Sequence, residues 1–377
     1  MRSTFWNKIE IEHYDSSHKN FGQKELLAKR TEEIAAFFLD SSGEAPFSFA
    51  FHIKDYYFSD ESYYIRPALK NLLVHSEQWV EVSMTLRSSE FGILSAVMGR
   101  LPLLIKLEIA LGDSRSTLPS MVAHTFEDAP LLTHVVLRGD RACQFKFNWL
   151  SLTTVEFRLL GEHGDEALAF LRETTNLVEL TIGVHHEFPM DVKIALIHLP
   201  CLERLSVGAV ELLTVLETPS LERLKMALGF IPQNVGIITL AFLRRSGIKL
   251  KTFVVERGLA MVFKDILPYV PRVDELALLG VSDAADVFKW LAAMGIQELP
   301  FNSLILSWPW NRREESLGAL LGMIARLNAP HDERYPRAKE VVIQIPQDSQ
   351  SRVANLKSLC RDRGIRFGFI EEMSTLR

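Results

Sequence analysis

Cysteine is scarce in this chain of 377 residues, only Cys143, Cys201 and Cys360. Their odd number, wide separation and apolar neighbours speak against a disulfide framework or a metal knot and predict buried free thiols in a reducing compartment. Charge of one sign is also lacking. Lys and Arg number 42 against 47 Asp and Glu, a formal net charge of −5, which gives no support to a nucleic-acid or anionic-membrane partner. No uninterrupted apolar run approaches the roughly 18 residues a membrane helix needs, and the polar, charged stretch 1–20 does not read as a signal peptide. The expectation is a soluble intracellular protein, cytoplasmic or nuclear.

Catalytic signatures are equally thin. His185-His186-Glu187 has no second histidine at metal-binding spacing on one helix and reads as a turn. Gly161-Glu162-His163-Gly164 lacks the spacing and the following Lys-Ser/Thr of a phosphate loop, and no Gly-x-Ser-x-Gly elbow occurs. Cys201 and Cys360 carry no catalytic-thiol motif and read as core packing. These absences predict no enzyme, no cofactor and no metal site.

What the chain has in quantity is a short apolar phrase: an apolar residue, two others, an apolar residue, one other, an apolar residue. It is plainest in Asn176-Leu177-Val178-Glu179-Leu180-Thr181-Ile182, Cys201-Leu202-Glu203-Arg204-Leu205-Ser206-Val207 and Ser220-Leu221-Glu222-Arg223-Leu224-Lys225-Met226. The last two apolar residues are two apart and so share one side of an extended strand, while the first covers the chain as it enters. The phrase starts at Trp79, Leu104, Leu132, Leu152, Leu177, Leu202, Leu221, Leu250, Val273, Phe301 and Ala338, at intervals between 19 and 37 residues. Most of these intervals fall in or beside the leucine-rich-repeat range of about 20 to 29. Amphipathic stretches between the phrases, at 165–173, 191–199, 235–245, 259–269 and 283–294, are long enough to cross back over a sheet as helices.

The predicted fold is therefore α/β: a leucine-rich-repeat-like solenoid with a curved parallel sheet on one face and helices on the other. Residues 1–64 read as N-terminal capping strands and a helix. They include an alternating strand from Phe5 to Glu12, a helix over 24–40 with Leu26, Leu27, Ile34, Phe37 and Phe38 on its apolar side, and a strand over 46–53. The segment 55–64 reads as a loop. Residues 65–345 form the irregular array, and 346–377 a capping helix and edge strand, all in one continuous solenoid. The long last interval, with Trp308-Pro309-Trp310, reads as an insertion or the start of a cap.

In such a solenoid the residues between the inward apolar positions line the concave sheet face, an extended binding surface. On that face the phrases place His134, Arg138, Glu156, Arg158, Glu179, Arg204, Arg223, Lys225, Glu256 and Glu275. Strands about 4.8 Å apart would make them neighbours, a mixed-charge patch fit to orient a protein partner or simply a solvated strand face. Toward the C-terminus the same columns turn apolar, with Val254, Ala277, Leu279, Ile305 and Val342, either a covered face or an apolar groove.

The phrases also carry a family resemblance. From Phe5 to Ile345 the chain resembles the region that follows the F-box in fungal, mushroom-type F-box proteins with leucine-rich-repeat-like C-terminal regions. The pieces that match are Phe5-Trp6-Asn7-Lys8-Ile9-Glu10-Ile11, Leu72-Leu73-Val74-His75-Ser76-Glu77-Gln78-Trp79, Gly99-Arg100-Leu101-Pro102-Leu103-Leu104, Ala129-Pro130-Leu131-Leu132 and Leu199-Pro200-Cys201-Leu202-Glu203-Arg204-Leu205. The resemblance implies a protein-binding module like the substrate-recognition region of a ubiquitin-ligase receptor. The helical, Leu-Pro-rich F-box of such proteins does not precede Phe5, so docking to the Skp adaptor and cullin is expected only with an upstream F-box and is assigned to no residue. The other expectation is a stand-alone leucine-rich-repeat scaffold or inhibitor-like binder with no ligase role.

Overall fold

The structure is a computed structural model. The structure describes residues 7–13, 21–53, 66–86, 90–111, 118–139, 144–160, 164–184, 195–227, 234–256, 266, 270, 273–280, 284–293, 301–307, 319–320, 323, 340–345 and 366–369. The chain is α/β with a large parallel sheet that does not close into a barrel. It divides into two compact units, Met1–Leu199 and Pro200–Arg377.

In the first unit, strands β1 (Lys8–His13), β2 (Phe47–Ile53), β3 (Trp79–Leu86), β4 (Lys106–Leu111), β5 (His134–Arg138), β6 (Thr154–Leu160) and β7 (Glu179–Val184) pair in chain order, every ladder parallel. The apolar phrases set this register. Val82, Leu107, Val135, Val155 and Leu180 form one column across β3 to β7, and Met84, Ile109, Leu137, Phe157 and Ile182 the next. A slip of one residue would turn both columns to solvent. All ten side chains are buried, as are the entry residues Trp79, Leu104, Leu132, Leu152 and Leu177. Burying each Leu, Ile, Val or Phe stabilises by roughly 1.5–3 kcal/mol before entropy is subtracted.

Helix α1 (Phe21–Ser42) precedes β2, and α2 (Arg66–Val74) precedes β3. Trp79 holds α2 against the sheet: its indole N–H donates to Leu72 O at 3.2 Å, and its ring meets Phe49 edge-on at 4.9 Å. Phe47 and Phe38 continue that aromatic cluster toward α1. The predicted apolar side of α1 is corrected. Ala28, Ala35, Phe38 and Leu39 are buried, whereas Leu26, Ile34 and Phe37 are more than half exposed. Buried positions 28, 35 and 39 are seven and four apart and lie on one helix stripe. The small alanines let the backbone approach its neighbours, and that outweighs the larger side chains elsewhere. The later connections are short: α3 (Phe91–Leu94), α4 (Ser120–Ala123), a 3₁₀ turn at Trp149–Ser151, and α5 (Gly164–Leu171). Phe126, ahead of β5, and Phe145, Phe147, Trp149 and Phe170, between β5 and β7, form a continuous run of stacked and edge-on ring contacts. At the end of the unit the helix expected over 191–199 gives way to the two-residue strand β8 (Ile197–His198), with Ile197 buried. Residues 191–194 of that stretch lie outside the described residues, and Leu199, just before Pro200, is biased toward extended backbone.

In the second unit, β9 (Arg204–Val207), β11 (Arg223–Ala227), β12 (Thr252–Glu256), β13 (Val273–Leu279), β14 (Phe301–Ser307), β15 (Glu340–Ile345) and β16 (Arg366–Phe369) also pair in chain order and in parallel. Leu205, Leu224, Phe253, Leu276 and Leu304 form a buried column, and Val207, Met226, Val255, Leu278 and Leu306 its neighbour. Between β9 and β11 the chain makes a 3₁₀ turn at Val210–Thr214 and the two-residue strand β10 (Leu216–Glu217). Helix α6 (Val235–Ser246) ends on Gly247 in the left-handed conformation, φ 62°, with its N–H on Arg244 O. From α6 the Arg245 side chain donates to Leu213 O and Leu216 O, which pins the 3₁₀ turn. Helix α7 (Ala284–Ala293) falls where the pattern predicts it.

The reading of Cys201 as core is corrected: the thiol is free and exposed. Cys201 stands in the turn after Pro200, and the phrase begins one residue later with Leu202, fully buried. Cys143 and Cys360, the loop at 55–64, the His185-His186-Glu187 run, Trp308-Pro309-Trp310 and the C-terminal capping helix lie outside the described residues, as does all of 259–269 but Ile266. No helix among the described residues is long and apolar enough to cross a membrane.

Candidate functional site: the polar sheet face

Alternation along each strand turns every second side chain away from the apolar columns, and parallel register lines those side chains up across strands. In the first unit one row runs Glu81, Lys106, His134, Thr154, Glu179, and the next Ser83, Glu108, Val136, Glu156, Thr181. A third contains Thr85, Ala110, Arg138 and Arg158. His134, Arg138, Glu156, Arg158 and Glu179 thus share one face.

Here Arg138 and Arg158 stand in register on adjacent strands. Like charges so placed repel, and each is offset by a carboxylate in the neighbouring row. Arg138 pairs with Glu108 across β4 and β5, and Arg158 forks onto Glu156 of its own strand, with Nη2 to Oε2 at 3.0 Å. Arg158 is held above its ordinary pKa, chiefly by the hydrogen bond to Glu156, against burial, with the charges of Glu156 and Glu108 adding to the rise. Val136 sits between the two carboxylates and is 9% exposed, so the pairs flank an apolar patch. Arg138 Nε and Ser83 Oγ are buried with no hydrogen-bond partner among the described residues. His134 Nδ1 lies 2.8 Å from Thr133 Oγ1.

In the second unit the rows are Arg204, Arg223, Thr252, Glu275, Ser303; Ser206, Lys225, Val254, Ala277, Ile305; and Ala227, Glu256, Leu279. Lys225 reaches diagonally to Glu256 at 2.8 Å. Arg204 and Arg223 are opposite each other in register and both exposed. Arg204 lies 3.8 Å from Glu203, a long and exposed pair. Arg223 and Glu275 have no ion-pair partner among the described residues. Just before the strands, Lys251 bonds Glu222 at 2.5 Å, which raises the Lys251 pKa. Val254 and Ala277, apolar members of the second row, are buried on this face, while Leu279 and Ile305 are half-buried.

Each predicted site residue therefore lies on the polar side of its strand. The phrase pattern puts Glu108 on this same face, and only the strand pairing reveals it as the partner of Arg138. Among the described residues, no three His, Cys, Asp or Glu side chains are grouped to hold a metal ion. In comparisons with known proteins, the chain matches no family model and no curated protein.

Proposed function

We propose that this chain is a protein-binding module, not an enzyme, built as a leucine-rich-repeat-like solenoid whose polar sheet face takes an acidic surface of a partner. The observation that carries this reading is the in-register pair Arg204 and Arg223. Two guanidinium groups side by side on an exposed face are electrostatically unfavourable, and among the described residues Arg223 has no carboxylate to offset it. Carboxylates of a partner would remove that cost and gain bidentate geometry. The solenoid part of the proposal is supported by the repeat interval, the parallel pairing in chain order and the buried phrase columns.

By its resemblance to F-box proteins, the partner is a substrate held for ubiquitin ligation, with the Skp adaptor and cullin recruited through an F-box. Affinity capture of the tagged chain from lysate of its own source, followed by mass spectrometry, tests this. Recovery of a partner that is lost in Arg204→Glu/Arg223→Glu, with folding intact, is the expected result. Retention of every captured protein by that variant would refute the role of the face. Capture of the adaptor and cullin separates a ligase receptor from a free-standing scaffold or inhibitor-like binder.

A further inference from the structure

On the helical side of the first unit, α2 and the α3 segment enclose an open cavity of about 390 Å³. Its walls are Leu73, Val74 and Ile93, and its rim carries Lys70 and Arg100. The volume lies in the range that holds small apolar ligands. Two features make it more than a packing defect. Gly92 lines it, and a Cβ built on Gly92 meets nothing within 4 Å, so a side chain placed there would enter open space rather than packed protein. Val74 is 63% exposed at its edge, apolar surface that an occupant would cover.

Charge selects the occupant. Arg100 is tied down, with Nε on Glu77 Oε1 at 3.1 Å and Nη2 donating to Val74 O at 2.8 Å, so its charge is largely offset. Lys70 is exposed and has no ion-pair partner among the described residues, leaving the rim with one unbalanced positive charge. The geometry points to a binding site for a straight-chain aliphatic carboxylate, its tail on Leu73, Val74 and Ile93 and its carboxylate at Lys70. This site is distinct from the sheet face.

The test is titration of ¹³C-carboxyl decanoate, below its micellar concentration, into the full chain, read by NMR and calorimetry. Saturable one-to-one binding is expected. Gly92→Leu fills the cavity and should weaken binding at least about tenfold with thermal unfolding unchanged. Lys70→Glu, at an exposed position that does not endanger the fold, should weaken it about threefold or more. Binding of decanoate to Gly92→Leu as to the native chain would overturn the site. Decanol binding as tightly as decanoate would overturn the role of Lys70. Tighter competition by a short peptide ending in leucine, which offers the same carboxylate beside an apolar group, would overturn the fatty-acid assignment.

Discussion

Trp79 joins the repeat pattern to the helical layer, and its replacement has a cost that can be worked out from its contacts. It is fully buried, donates to Leu72 O and meets Phe49 edge-on. In Trp79→Phe the Leu72 carbonyl keeps its bond from the His75 N–H at 3.1 Å, so losing the indole donor costs only about 0.5–1 kcal/mol. The missing second ring leaves a void among α2, β2 and β3, worth about 1–2 kcal/mol more. The sum is about 2 kcal/mol, and Trp79→Ala should cost about 4. Because the chain has two compact units, the assay is hydrogen exchange resolved by segment, with the amides of β11 to β13 as internal reference. Exchange in β3 and α2 should rise about 30-fold in Trp79→Phe, with the reference segments unchanged. A rise below about threefold would refute the argument that this side chain anchors α2 to the sheet.

Replacing Gly247 with Ala places a Cβ in the left-handed cap of α6 and should destabilise the second unit by about 1 kcal/mol, measured by urea unfolding. Arg245→Met strips the donor from Leu213 O and Leu216 O, with an expected loss of about 1–3 kcal/mol in the same assay. The raised pKa of Lys251 means that its contribution is fully present below its ordinary value of 10.5 and is lost as pH climbs through the folded value. Native protein and Lys251→Met should therefore converge in stability above pH 10.5, and a constant gap in unfolding curves across that range would contradict the Glu222 pairing. A double-mutant cycle on Lys225 and Glu256 should give a coupling of about 0.2–1 kcal/mol that falls with added salt.

The strands were legible because the phrase encodes two things at once: a period of two within the strand and the same place for each apolar residue in every strand, whatever the interval between strands. Leu205, Leu224 and Phe253 fall in one column for that reason alone. The helical layer was less legible. In α1, Leu26, Ile34 and Phe37 are as apolar as any core residue, yet the stripe through Ala28 and Ala35 is the one that packs, a choice made by how closely the backbones can approach. Cys201 misled in the same way, since an apolar neighbourhood in sequence is not burial when a proline turn separates it from the strand.

Sequence by itself determined the α/β class, the strand positions, the buried columns and the sides on which Arg138, Arg158, Arg204 and Arg223 emerge, because alternation and local propensity act over a few residues. Tertiary structure decided which charges meet: Arg138 with Glu108 and Lys225 with Glu256, each about 30 residues apart, and Arg204 beside Arg223, the latter with no carboxylate among the described residues. It also decided that a cavity opens beside Gly92. These depend on strand register and on helix approach, which are settled by the packing of the whole unit and have no signature in any short stretch of the chain.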